Sequence, residues 1–267
     1  MRSGRKLQIK YYVEPDAQAF ARRAAQYFTE MAWEAVAYSG HARIAISGGS
    51  TPKAAFELLT DFSQPWRARM PWEKLDLYWV DERAVPPDHP DSNYRMTREA
   101  LLDRVPLQPS QIHRIEGELD PEAAAARYES ELRNGFRLEG AQLPSFDLVA
   151  LGMGADGHTA SLFPHTQAIH ELNRLAAANF VPRKDAWRIT LTWPVINYAS
   201  SVFFLIAGAD KASVLSEVLT GPRDPERLPS QLIWPSSGIL TVILDKAAAA
   251  LLPATDAEGC GFLERER

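Results

Sequence analysis

A single cysteine, Cys260, in 267 residues excludes an intramolecular disulfide and a multi-cysteine zinc site. Histidine offers no metal site either. His165 and His170 stand five apart, off one helical face, and no His-Glu-x-x-His occurs, so no metal is expected. The longest apolar run, Val202 to Ala207, is far too short to span a bilayer. The basic start, Met1 to Lys6, leads into the alternating Leu7-Gln8-Ile9-Lys10-Tyr11 with no apolar core behind it, so no secretory leader is expected. An excess of positive charge is missing too: 34 acidic against 29 basic residues give a net charge of -5. That balance argues against nucleic acid as the main partner but leaves room for a small anion, which needs only a few local cations and backbone donors. The expectation is a cytoplasmic protein with neither a membrane nor a nucleic-acid partner, its oligomeric state left open by the sequence.

What is present centres on Phe146 to Pro164, FDLVALGMGADGHTASLFP. The apolar run Leu148-Val149-Ala150-Leu151 is the pattern of a strand buried on both faces. Gly152, Gly154 and Gly157 then allow a tight turn and close approach to a ligand. His158 to Phe163 reads as a short helix stopped by Pro164. The glycines spell Gly-x-Gly-x-x-Gly, but a dinucleotide fingerprint would open a full helix.

Around it, strands and helices alternate. Leu7 to Val13 reads as a strand, and Pro15 sets the first turn of a helix whose stripe is Phe20, Ala24, Tyr27, Met31, Ala35 and Tyr38, ending at Gly40. Arg43 to Ile46 is a strand. Thr51 as N-cap and Pro52 at the first helical position start the next helix, with Ala55, Leu58, Leu59 and Phe62 buried. Leu75 to Val80 is a strand, a helix follows Asp91-Ser92-Asn93 as far as Leu102, and Pro121 to Phe136 is another. Trp187 to Trp193 and Val202 to Ala207 read as strands, Asp210 to Leu219 as a helix, and Ile239 to Leu244 as the last strand. This order predicts an α/β fold with a largely parallel sheet and helices on both faces. A single domain is expected over residues 1–252, and 253–267 should be a mobile tail.

Strand ends in such a sheet collect ligands. Ser47-Gly48-Gly49-Ser50-Thr51 between a strand and a helix is an anion cradle, built from backbone N–H groups, three hydroxyls and a helix N-terminus. It lacks the Gly-Lys-Ser/Thr ending of a nucleotide-binding loop. Asp81, Glu82 and Arg83 end the third strand, and Arg83 could grip a carbonyl or carboxylate through paired hydrogen bonds. Asn93 sits near a helix start. His158, two residues from Asp156, has an orienting carboxylate beside it, as a general base requires. Arg188 and Lys211, at two other strand ends, could complete an anion grip with Ser47 to Thr51.

Read together, Ser47-Gly48-Gly49-Ser50-Thr51-Pro52, Trp79-Val80-Asp81-Glu82-Arg83, Asp91-Ser92-Asn93-Tyr94, Gly152 to Pro164, Arg188-Ile189-Thr190-Leu191-Thr192, Gly208-Ala209-Asp210-Lys211-Ala212 and Leu244-Asp245-Lys246-Ala247-Ala248 resemble the 6-phosphogluconolactonases in order and spacing. The resemblance implies the Rossmann-like fold shared with glucosamine-6-phosphate deaminase, no cofactor, and hydrolysis of 6-phospho-D-glucono-1,5-lactone in the oxidative pentose phosphate pathway. Its partner is then a phosphorylated sugar lactone, with His158 and Asp156 catalytic. Ser47, Gly48, Gly49, Ser50, Thr51, Asp81, Arg83, Asn93, Gly154, Arg188 and Lys211 bind substrate on this reading. The chain departs from the family at Ala155, usually proline, at His165, commonly glycine, and at Val242, often tryptophan. Val181 to Trp187 also lacks the usual paired prolines. Two other readings are an amino-sugar phosphate deaminase or isomerase on the same fold, and a sugar-phosphate sensor without chemistry.

Overall fold

The computed structural model describes residues 6–236 and 239–266. Of the basic start Met1 to Lys6, all but Lys6 lies outside them, as does Arg267 of the expected tail. Among the described residues the strands are β1 (Lys6–Glu14), β2 (Ala42–Ile46), β3 (Leu75–Trp79), β4 (Asp81–Arg83), β5 (Ile112–His113), β6 (Leu148–Gly152), β7 (Ala176–Val181), β8 (Ala186–Leu191), β9 (Ser201–Ile206), β10 (Ile239–Asp245) and β11 (Cys260–Glu266). The α-helices are α1 (Ala17–Ser39), α2 (Ser50–Thr60), α3 (Pro65–Arg69), α4 (Asn93–Ala100), α5 (Pro121–Phe136), α6 (Trp193–Asn197) and α7 (Ala212–Thr220).

Eight strands form one sheet in the order β11-β1-β10-β9-β6-β2-β3-β5, parallel throughout except for β11. Leu148 to Leu151 are each at most 2% exposed, so their alternating side chains are covered on both faces. The chain enters the middle of the sheet at β2 and runs outward through β3 to β5. It then returns to β6, on the other side of β2, and runs outward through β9 to β10. Connections leaving β2 and β6 therefore diverge, which opens a crevice at their carboxyl ends. A second, antiparallel sheet β4-β8-β7 stands beside it. Tyr128 of α5 fastens the bend between the two sheets, its hydroxyl donating to the Trp79 carbonyl (2.7 Å) and accepting from the Trp79 N–H (3.0 Å).

Several expectations are corrected. His158 to Phe163 forms no helix: Thr159 and Leu162 bridge across a turn in which Ala160 has φ 49°. The turn carries the Ser161 hydroxyl to Asp81, a tertiary bond that a six-residue pattern does not reveal. Asp16, rather than Pro15, starts α1, accepting the Ala19 N–H at 2.8 Å. The buried stripe of α1 holds Phe20, Ala24 and Ala35 as expected and adds Phe28 and Ala32; Tyr27 and Met31 are half-buried against the core, and Tyr38 is exposed. Gly49 rather than Thr51 caps α2, whose buried face includes Phe56 while Phe62 is exposed. The strand from Ala186 stops at Leu191, because Trp193 with Pro194 begins α6. Strand β7 had no expectation. The tail expected beyond residue 253 holds β11, paired antiparallel with β1; Arg265 is buried there, its Nη1 donating to the Val218 carbonyl of α7 at 3.0 Å.

Candidate active site

Four adjacent central strands, β9, β6, β2 and β3, point their carboxyl ends at one cleft of about 580 Å³. Each delivers the residues that follow it. After β2 come Ser47 to Thr51, after β3 Asp81 and Arg83, after β6 Gly154 and His158, and after β9 Lys211; all line the cleft, as do Asn93 and Arg188. Every substrate-binding candidate named from the sequence thus reaches one space. Asp156 lies behind it, touching His158.

His158 Nδ1 stands 2.5 Å from Asp156 Oδ1. A carboxylate only accepts, so Nδ1 carries the proton and Nε2 keeps its lone pair. Gly154 makes the pair possible, because a Cβ there would overlap both the imidazole and the carboxylate. The imidazole stacks on Phe163, with ring centres 4.0 Å apart and planes 19° apart. Burial pushes the His158 pKa down to about 4; Asp81 works against that shift, and Lys184, Lys211 and Arg188 add to it. The ring is therefore neutral at physiological pH and able to accept a proton.

The rest of the cleft is arranged for an anion. Arg83, Lys184, Arg188 and Lys211 supply positive charge against Asp81 and Asp210. Burial, then the nearby Arg83, lowers the Arg188 pKa, yet guanidinium stays charged at neutral pH. Gly48 lies against Asn93, whose side chain occupies the space a Cβ would need. Asn93 donates to the Asp81 carbonyl at 2.8 Å. Glu82 does not face the cleft. Buried, it accepts from the backbone N–H groups of Arg83, Asn93 and Tyr94 at 2.7–2.8 Å and so clamps the start of α4 to β4. Ser47 also differs from expectation: its hydroxyl donates to the Ala150 carbonyl at 2.9 Å and can offer a ligand only lone pairs.

Sequence reasoning missed Lys184, Ser161 and Phe163, which also line the cleft. Ser161 donates to Asp81 Oδ2 at 2.7 Å. Ser161 and Phe163 belong to the string already singled out, so their signal was present. Lys184 had none, because the β7–β8 hairpin that carries it depends on the unread strand β7.

A profile of the family described as glucosamine-6-phosphate isomerases/6-phosphogluconolactonase matches residues 15–242. A 6-phosphogluconolactonase of Synechocystis sp. is 42% identical over 238 residues, covering 88% of this chain and 95% of that protein. The crystal structure of 6-phosphogluconolactonase from Leishmania guyanensis superposes with a TM-score of 0.80 at 30% identity, covering 91% of this chain and 98% of that one. A monomeric glucosamine-6-phosphate deaminase shares the fold, with a TM-score of 0.75 at 20% identity over 90% of this chain and 99% of the other. With a profile spanning most of the chain and relatives matched over nearly their full length, the chain belongs to the glucosamine-6-phosphate isomerase/6-phosphogluconolactonase family.

Proposed function

We propose that the cleft hydrolyses 6-phospho-D-glucono-1,5-lactone to 6-phospho-D-gluconate, in the oxidative pentose phosphate pathway and in the cytoplasm. The observation that carries the reading is a neutral imidazole, oriented by Asp156, in the same cleft as four cations and the Ser47–Thr51 bend. The 6-phosphogluconolactonase names of the relatives support the choice of substrate.

In this reading His158 Nε2 takes a proton from a water whose oxygen attacks the lactone carbonyl carbon. Asp156 stabilises the imidazolium that forms. Positioned proton transfer of this kind contributes about 10²–10⁴-fold. The attack turns the carbonyl oxygen into an oxyanion, held by Arg83 or by backbone N–H groups between Gly152 and Gly157. One such donor is worth about 3–4 kcal/mol. As the tetrahedral centre collapses, the bond to the ring oxygen breaks and imidazolium returns the proton to that oxygen. The products are a hydroxyl and a carboxylic acid, which ionises in water. Lys211 and Arg188, with the Ser47–Thr51 bend, anchor the phosphate away from the reacting carbon, so that binding energy fixes orientation.

A spectrophotometric lactonase assay, corrected for spontaneous opening of the lactone, tests this. Enzyme-dependent hydrolysis is expected. Ammonia release from glucosamine-6-phosphate without lactone hydrolysis would overturn it in favour of a deaminase, and binding without turnover in favour of a sensor.

A further inference from the structure

Behind the imidazole, four side chains close a ring of contacts. Asp156 Oδ1 takes the proton-bearing Nδ1 of His158, and Asp156 Oδ2 pairs with Nη2 of Arg183. The Arg183 guanidinium lies over the Phe163 ring, 5.0 Å from its centre, and the same ring stacks with the imidazole. Phe163 is only 5% exposed, so the stack has little freedom to slide. Arg183 comes from a single 3₁₀ turn, Pro182–Lys184, in the hairpin between β7 and β8. The turn is held by the Asp185 N–H donating to the Pro182 carbonyl at 3.1 Å, with Asp185 in the left-handed region at φ 46°. Lys184, the next residue, lines the cleft, whereas Arg183 does not. One tight turn therefore sends one cation to the substrate side and the adjacent one to the back of the base.

We propose that Arg183 is a positioning residue for the general base, fixing the His158 imidazole from two directions through Asp156 and Phe163. It stands outside the residues that line the cleft. A carboxylate hydrogen-bonded to Nδ1 through Oδ1 and ion-paired with Arg183 at Oδ2 resists turning away from the imidazole. A cation over the Phe163 ring is attracted to the ring that stacks with the imidazole. This inference rests on the general-base reading of His158. It separates Arg183 from the anion grip of Arg83, Lys184, Arg188 and Lys211, where charge would serve binding.

The test compares wild type with Arg183→Ala, Arg183→Met and Arg183→Lys, each checked for cooperative thermal unfolding. Arg183→Ala and Arg183→Met should lower kcat by about 10–100-fold, as expected when a catalytic group is misplaced by an ångström or less. KM, and the affinity for 6-phospho-D-gluconate measured by calorimetry, should stay within about threefold. Arg183→Lys, which keeps a cation within reach of both Asp156 and Phe163, should recover most of kcat. An NMR titration of the His158 ring provides a readout independent of turnover. Its charged neighbours are Asp156, Asp81, Lys184, Lys211, Arg188 and, through Asp156, Arg183. Removing the Arg183 charge should move the titration midpoint up. A raised KM with unchanged kcat would make Arg183 part of the anion grip and overturn the proposal, and an unmoved His158 midpoint would do the same. If the wild type hydrolyses no lactone, the functional reading fails while the titration still decides the role of Arg183.

Discussion

Arg83 of β4 and Arg188 of β8 are direct cross-strand partners, two guanidinium-bearing residues opposed in an antiparallel pair at the rim of the cleft. Like charges so placed cost about 0.2–1 kcal/mol, and an anion between them would remove that cost. Arg188→Met should therefore raise the Tm of the ligand-free protein by about 1–3 °C, while raising KM for the lactone. Inorganic phosphate should stabilise the wild type more than the variant. Thermal melts with and without phosphate check this, and equal phosphate shifts in both proteins would remove Arg188 from the grip.

Gly154→Ala tests the packing of the catalytic pair without touching either partner. The added methyl group would overlap the His158 ring and the Asp156 carboxylate, so one must move. Turnover should fall by about 10²-fold or more, the scale of general-base assistance. Affinity for 6-phospho-D-gluconate should survive, because the cations lie elsewhere in the cleft. Full activity in this variant would mean that the Nδ1–carboxylate contact is dispensable.

The pH dependence has a definite sign. Burial, reinforced by Lys184, Lys211 and Arg188, holds the His158 pKa well below the ordinary histidine value of about 6.5. The base is lost only on protonation, so kcat/KM should be flat through neutrality and fall on the acid side below that value. Lys184→Gln should move the acid limb upward, since it removes one of the cations that oppose protonation. A wild-type limb at or above the ordinary value would contradict the buried, cation-flanked description of the ring.

At the opposite, amino-terminal end of β3, Asp76 lies between His41, 2.7 Å away, and His113, 3.8 Å away; His113 also meets Glu131 at 2.8 Å. Burial works to lower the His113 pKa, but the facing Asp76 and Glu131 carboxylates outweigh burial and raise it. The folded state therefore holds the His113 proton more tightly than the unfolded chain. The stabilisation is complete below about 6.5 and fades as pH rises through the folded value. Urea unfolding of wild type and His113→Gln should show a larger gap at about pH 5.5 than at about pH 8.5. A gap that grows with pH would show the cluster to be wrongly assigned.

Much of this architecture was legible because its signals are local. Buried parallel strands write continuous apolar runs, as Leu148 to Leu151 does, and the alanine- and charge-rich run Pro121 to Phe136 is α5 over the same residues. The anion bend and the base could be named because loops after parallel strands converge on one edge. What was missed depends on distant partners. The turn from His158 to Phe163 is held by Ser161 reaching Asp81, 80 positions away in sequence. Strand β7, with three alanines in its first three places, has no strand signature and exists through pairing with β8. Without β7 there is no hairpin, and neither Lys184 nor Arg183 can be placed. The pairing of β11 with β1 likewise joins opposite ends of the chain, and its mixed charge gave no apolar pattern to read.

The most direct measurement is steady-state lactone hydrolysis by His158→Ala, with 6-phospho-D-gluconate affinity measured on the same preparation. A loss of about 10²–10⁴-fold in kcat with near-normal product binding is the predicted result. Turnover within a few-fold of wild type would contradict the assignment of His158 as the base, and with it the mechanism built on the His158–Asp156 pair.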